Sequence, residues 1–385
     1  PGTLSPFVDI GNTAVWLGTW REASVYNTSQ KTLEFTDNVT LKAGRNLFTI
    51  GTHNEFYNIN YGFVNALNGR WEYANVDAFL ADKPSRIRGT YLLDEVNNNR
   101  DYVYNNSIAK FNVNLLSGYV QDEIGFGKLK VTPGIRVDYT FVPTSPTTNP
   151  LAVQTVDYVN QTPSYSHTPV NQITNKWFGT AVISPRIGFN WKATPVVTVR
   201  GGSGIFVGRL PFAWLGYSYY NTGTVYGNID YKPAGAVVPL VGQTDLKSAV
   251  VAAGGKVNTV ELNLIDNNFK LPRILRNNIA IDFKLNNGWT AELDALYTKT
   301  LYDVKFQQIN LKDDYSYYEV GPTQTPVYTG AKVNTSFANT FLLSNTKEGY
   351  RYNFTGKIRK DNIEIGNVKV STSVAYTYGM SKDIS

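Results

Sequence analysis

The sequence predicts an all-β fold, specifically an antiparallel, up-and-down transmembrane β-barrel, and three observations predict it. Segments of about ten to fifteen residues alternate apolar and polar side chains, longer than the five or six usual in soluble sheets. The connections between them run short, long, short, long, the pattern of bacterial outer-membrane barrels with short periplasmic turns and long extracellular loops. The composition is that of a sheet protein: of 385 residues 14% are aromatic, with 26 Tyr, 19 Phe and 7 Trp, and only 17% are charged.

The hairpin over 183–211 shows the pattern best. Ile183, Ile187, Phe189 and Trp191, with Pro185 between them, fall on one face, and Ser184, Arg186, Gly188 and Asn190 on the other. After the Lys192–Pro195 turn, Val197, Val199, Ile205 and Val207 oppose Thr198, Arg200, Gly202 and Gly204. Side chains alternate across a strand with period two, so this sheet has one apolar face for lipid and one polar face for a wet lumen.

In chain order, Thr13 to Tyr26, with Trp16 and Trp20, is a first candidate strand. Lys31 to Lys42 and Asn46 to Tyr57 form a hairpin around Ala43-Gly44-Arg45. Residues 59–106 read as a long loop, with Asn97-Asn98-Asn99 as loop chemistry. In the next strand Phe111, Val113, Leu115 and Tyr119 share a face opposite Asn112, Asn114, Gly118 and Asp122. Beyond the turn at Gly125-Phe126-Gly127, Leu129, Val131, Ile135, Val137, Tyr139 and Phe141 alternate with Lys130, Thr132, Gly134, Arg136, Asp138 and Thr140.

The stretch 143–175 lacks periodicity and reads as a loop, and 212–273 reads as mostly loop. Ile279, Ile281, Phe283 and Leu285, then Trp289, Ala291, Leu293, Ala295 and Tyr297, flank a turn at Asn286-Asn287-Gly288. From 299 to 349 a further excursion is expected, with a strand extension at Val304–Leu311. Tyr350 to Arg359 and Val368 to Tyr378 form the last pair. Trp289 and Tyr297 close the two ends of one apolar row, and eight residues tilted by about 40° span roughly 20 Å of membrane normal. On this topology the loops at 59–106, 143–176, 210–274 and 311–349 face the cell exterior, and the turns near Gly44, Gly127, Thr194 and Asn287 face the periplasm. About eleven membrane strands result, an odd number where bacterial barrels have even ones, so residues 1–385 are expected to be one partial barrel domain.

No apolar run reaches about 18 residues, so no transmembrane helix is expected. Zero cysteines exclude disulfides, thiol catalysis and Cys-based zinc sites, and fit an oxidising compartment. The net charge of +6 is mild, and no nucleic-acid partner is expected. Pro1-Gly2-Thr3 shows no signal-peptide pattern, which suggests an internal piece of a longer precursor.

Several segments, in order, resemble the large TonB-dependent outer-membrane receptors of the Oar-like branch, which carry a carboxypeptidase-regulatory-like N-terminal domain. They are Thr36-Asp37-Asn38-Val39-Thr40 with Phe48 to Tyr57, Tyr119-Val120-Gln121-Asp122-Glu123, Pro133-Gly134-Ile135-Arg136-Val137-Asp138, Ser184 to Phe189, Val199 to Phe206, and Tyr376-Thr377-Tyr378-Gly379. The resemblance implies a barrel of about 22 strands around a plug. It also implies energy coupling through the TonB complex and import of a large or scarce substrate, whether peptide, glycan or chelate. On this resemblance the plug and N-terminal domains would precede Pro1, and the chain is expected to correspond to barrel alone. Expected partners are outer-membrane lipid, the protein's own plug, the TonB complex, and a surface lipoprotein or other outer-membrane partner. A passive porin or secretion-associated barrel, and a soluble extracellular all-β binding protein, are the alternatives that the residues leave open.

Arg136, Asp138, Arg186, Arg200, Glu292 and Asp294 are the lumen- or plug-facing candidates, with mutual ion pairing as the purely structural reading. Trp214, Tyr217, Tyr219, Tyr220 and Asn221 are the candidate substrate contacts on a long loop, because aromatics with polar tips suit peptide or glycan, while simple loop packing is the alternative. No catalytic residue, metal site or cofactor is expected. His53 in a strand and His167 in a loop are the two histidines, and they do not point to a His-based metal site. Asp94-Glu95 and Asp313-Asp314 read as solvated loop acids. Gly201-Gly202-Ser203-Gly204 lacks the Gly-Lys-Ser/Thr ending of a phosphate loop.

Overall fold

The computed structural model describes residues 5–12, 14–20, 25–106, 109–147, 173–174, 179, 181–257, 260–312, 314–317 and 326–383. Ten long strands form one continuous antiparallel ladder in chain order: β1 (Val25–Ala43), β2 (Asn46–Val64), β3 (Ala109–Phe126), β4 (Leu129–Phe141), β5 (Val182–Lys192), β6 (Val197–Val207), β7 (Arg273–Lys284), β8 (Trp289–Gln308), β9 (Tyr350–Ile365) and β10 (Val368–Lys382). Among the described residues β1 and β10 do not pair with each other, so the ladder is open along these two edges.

The tight turns lie at 44–45, 127–128, 193–196, 285–288 and 366–367. Gly44 and Gly127 hold φ of +61° and +63°, which a two-residue hairpin between right-twisted strands requires and glycine adopts without a Cβ penalty. The long connections all leave the opposite end of the ladder.

The register fixes which face meets lipid. Ile281 stands opposite Val199 on β6 and Leu293 on β8, Ile135 opposite Val120, and Phe354 opposite Tyr378. Leu293, Ile279 and Ile183 are exposed on that face, at 54%, 49% and 59%. A one-residue slip would put Asp282, Glu292 and Asp294 into hydrocarbon, so the pairing is strongly specified.

Four expectations need correction. The segment Thr13–Tyr26 is not a membrane strand. Val15–Leu17 pairs with Phe7–Ile10 in a separate five-stranded sheet, completed by Arg70–Tyr73, Arg86–Leu92 and Tyr226–Tyr231. The ladder therefore holds ten strands rather than eleven.

The stretches 59–106 and 212–273 are not simple loops. β2 runs on to Val64; Arg70–Tyr73, Arg86–Leu92 and Tyr226–Tyr231 join this small sheet, whose core includes Trp71, Tyr73, Ile87, Ile229 and Leu246, while Phe212–Tyr220 forms a helix and Val260–Ile265 a strand outside it.

The row Phe111, Val113, Leu115 and Tyr119 does not face lipid. The register carries Leu116 and Val120 outward, opposite Tyr139 and Ile135, and turns the odd positions inward. Phe111 and Val113 are buried with Tyr57, Ile59 and Tyr61 of β2 under Leu215 of a helix, so the inner wall is dry at this height. Conversely, Asn58 and Asn112 meet on the outer face, the Asn58 amide donating to Asn112 at 2.8 Å. This inversion of polarity marks where β1–β3 rise out of the hydrocarbon.

The excursion expected from 299 begins later: β8 continues unbroken to Gln308, taking in much of the extension expected at Val304–Leu311, and its outer part pairs with Phe337–Thr346, which in turn runs parallel to Val260–Ile265. Most of the connection 143–175, with His167, lies outside the described residues, as does Asp313.

Leu293 and Ile281 stand midway between the Trp289 and Tyr297 levels, where a cation is costliest. Ile281→Arg is expected to destabilise the protein in bilayers by about 2–4 kcal/mol. Asp282→Asn, which loosens a part-exposed pair with Arg200, is expected to cost at most about 1 kcal/mol. Urea unfolding in lipid vesicles measures both, and the reverse order of costs contradicts the facing.

Candidate functional site

The inward face of β1–β6 builds a polar recess of about 560 Å³. Its centre is Glu55 on β2, buried at 2% exposure. Three side chains converge on that carboxylate. The Tyr57 hydroxyl donates to Oε2, the Arg209 guanidinium donates to Oε1, and His53 Nε2 lies 2.6 Å from Oε1. Strand periodicity explains the convergence, because His53, Glu55 and Tyr57 are at i, i+2 and i+4 of one strand and share a face. Arg209 comes from just past β6. The Thr36 hydroxyl is 2.7 Å from His53 Nδ1, and Glu34 Oε1 lies 3.6 Å from the same nitrogen.

Thr36–His53–Glu55 has the connectivity of a nucleophile–base–acid relay. Glu55, however, is already neutralised by Arg209 and accepts from Tyr57, so its carboxylate is committed to holding this wall together. The arrangement is a fixed polar wall. Sequence reasoning overlooked it, although His53-x-Glu55-x-Tyr57 on one strand face was a visible signal.

The six lumenal candidates all lie on this inward face. Arg136 Nε donates to Asp138 at 2.7 Å and its Nη2 to the Ser117 hydroxyl at 2.7 Å, and its guanidinium lies 5.6 Å from the Tyr119 ring centre. Arg186 covers the Phe206 ring at 4.5 Å. Farther round, Arg200 donates to Asp282 at 2.9 Å and also to Glu292. Asp294 stands one pleat from Glu292, opposite Thr355. The candidates thus form two separate groups, one around Arg136 and Arg186 and one around Arg200.

The five aromatic-loop candidates sit on a helix, Phe212–Tyr220, and its C-cap, rather than on an irregular loop. Tyr219 stacks on Phe111 at 4.8 Å with 6° between planes and donates to the Thr144 carbonyl. Tyr217 meets Tyr61 edge-on at 5.7 Å, and Tyr220 packs on Tyr226 at 4.6 Å. Burial pushes the Tyr220 phenol far above the usual tyrosine range. Packing accounts for Tyr219, whereas Trp214 remains exposed at 40%. Among the described residues, no three His, Asp or Glu side chains group as metal ligands.

Removing Arg209 leaves the buried Glu55 with two partners. Arg209→Ala is expected to destabilise the folded protein by about 1–2 kcal/mol, an estimate reduced for the exposure of the guanidinium. On a Glu55→Gln background the same change is expected to cost under about 0.5 kcal/mol, as a double-mutant cycle of unfolding reads directly. Equal costs on both backgrounds would show that the two residues are not coupled.

The profile of the outer membrane beta barrel domain matches residues 3–383. No curated protein matches the chain. Among solved structures, it is similar to the FrpB iron transporter from Neisseria meningitidis, 9% identical with a TM-score of 0.43, over 92% of this chain and 36% of that one. It is also similar to the siderophore receptor PirA from Pseudomonas aeruginosa, 11% identical with a TM-score of 0.41, over 91% of this chain and 40% of that one. The copper transporter OprC is 11% identical with a TM-score of 0.44, over 92% of this chain and 38% of that one. The chain thus spans well under half the length of these structures. The profile match runs along the entire ladder, from before β1 to the end of β10, and the chain belongs to the outer membrane beta barrel domain family, with its strands crossing the bacterial outer membrane.

Proposed function

We propose that the chain is part of the wall of a TonB-dependent outer-membrane transporter. It would import a large or scarce substrate through a barrel closed by a plug. In this reading β1 and β10 continue into further strands of a larger barrel, since unpaired backbone groups cannot stay in hydrocarbon. The groups around Arg136, Glu55 and Arg200 contact the plug, and TonB acts on that plug from the periplasm.

One observation carries the reading, namely that a helix covers the inward face of this wall at its outer end. The helix Phe212–Tyr220 packs Leu215 onto the inward rows of β2 and β3, together with Leu210, Phe269 and Leu343. A passive diffusion pore needs an open mouth. A wall dry and covered at its outer end suits a receptor that admits its substrate by a conformational step. The Oar-like segments quoted above, and the names of the similar iron, siderophore and copper proteins, are in keeping with this reading. The apolar outward rows of β5–β10 disfavour the soluble alternative.

Planar-bilayer recording of the full-length protein separates the two membrane readings. A plugged transporter is expected to give no steady open channel until denaturant loosens the plug. A constant open conductance on insertion would support the passive pore instead.

A further inference from the structure

A second cavity, of about 450 Å³, lies at the mouth between the helix Phe212–Tyr220 and the strands Val260–Ile265 and Phe337–Thr346. That volume is within the roughly 300–1,000 Å³ of small-molecule sites. Its chemistry differs from that of the lumenal recess. Phe306 and Phe341 stack with centroids 4.9 Å apart and 14° between planes, and Phe306 is 48% exposed. Around these rings stand the carboxamides of Asn65, Asn221 and Asn263 and the carboxylate of Glu261. Among the described residues no Lys, Arg or His lines the cavity.

The polar groups are held in fixed orientations. Asn221 donates to Glu261 Oε1 at 2.9 Å and Asn339 donates to Oε2 at 3.1 Å, while Asn339 itself accepts from Gln308 at 2.7 Å. Each carboxylate oxygen thus has one amide donor and a lone pair to spare. Asn263 is 4% exposed, and its side-chain oxygen has no hydrogen-bond partner. A buried, unpartnered acceptor in a cavity wall is costly unless a ligand or water meets it.

We propose that this cavity binds a neutral saccharide, an assignment that rests on reading the chain as the wall of a substrate-importing barrel. Saccharide hydroxyls both donate and accept. They can donate to Glu261 and, once the Asn263 side chain turns its orphaned oxygen into the cavity, to Asn263, and accept from the carboxamides. The C–H face of a sugar ring lies against an exposed aromatic ring such as Phe306, as apolar surface does against any aromatic. An anionic ligand, such as a catecholate chelate, a phosphate or a uronate, would meet a carboxylate with no lining cation to offset it. A purely apolar ligand would leave the Asn263 oxygen and the spare lone pairs of Glu261 unmet. A cationic peptide side chain could pair with Glu261, but its aliphatic stem would face the carboxamides.

The test is a glycan array carrying neutral, uronate and sialylated oligosaccharides, probed with the fluorescently labelled full-length protein in detergent micelles. Ferric enterobactin and the peptide Ala-Lys-Ala serve as soluble competitors. Neutral oligosaccharides are expected to bind, with neither competitor displacing them. Phe306→Ala and Asn263→Ala are each expected to weaken binding roughly tenfold or more. Heat-modifiable migration confirms that each variant is folded, and Glu261→Gln takes the place of one that is not. Binding confined to acidic glycans, displacement by either competitor, no glycan bound, or binding indifferent to the folded variants overturns the assignment. Glycan binding that persists while uptake of the bound glycan is the same in cells lacking TonB would overturn the transport reading alone.

Discussion

In hydrocarbon every backbone N–H and C=O must be satisfied within the protein, and for a strand only a neighbouring strand can do it. That constraint orders everything else in this chain. It makes the ten strands a ladder in chain order, forces the links at one end to be tight, and leaves the other ends free to carry long insertions. It also makes the period-two pattern binding, since a slip of one residue exchanges lipid-facing and lumen-facing side chains along the entire strand. The ion pairs of Arg200 with Asp282 and Glu292 then follow, because Asp282 on β7 is diagonal to Arg200 and Glu292 on β8 stands directly across from Asp282, all on the inward face.

The same logic explains where the pattern inverts. Above the hydrocarbon, β1–β3 no longer need an apolar exterior, and Asn58 pairs with Asn112 outside while Tyr57, Ile59 and Phe111 turn inward. What covers those inward residues is the chain returning from β6. One rigid wall therefore does two jobs, crossing the membrane with its lower part and supporting a folded roof with its upper part. Both the lumenal recess at Glu55 and the mouth cavity at Glu261 lie on the inner side of that wall or under its roof. They differ in charge, the first centred on arginines and a carboxylate and the second on carboxamides and a carboxylate.

The strands, their faces and the tight turns were legible in the sequence wherever one face meets lipid and the other water, as in Ile279–Phe283 and Trp289–Tyr297. Legibility failed where that contrast disappears. Phe7–Ile10 and much of Arg86–Leu92 are covered on both faces, so they carry no alternation, and their strands are too short for length to help. The helix Phe212–Tyr220 is aromatic nearly all round because the wall and the roof pack it from several sides, which hides its period. The row Phe111–Tyr119 alternated correctly but gave the wrong facing, because apolar residues point to whichever side is dry, and here that side is the roofed interior. The Glu55 cluster needed Arg209, some 150 residues away in sequence, and no local pattern announces such a partner.

The account stands on which face of β8 meets the acyl chains. Spin labels placed singly at each position from 289 to 299 in this cysteine-free chain, reconstituted in lipid vesicles, report collision with oxygen and with a water-soluble nickel chelate. Oxygen accessibility is predicted to peak at odd positions, highest at 293, with the nickel chelate in the opposite phase and favouring 292 and 294. Accessibility without period two, or oxygen peaking at 292 and 294, would contradict it.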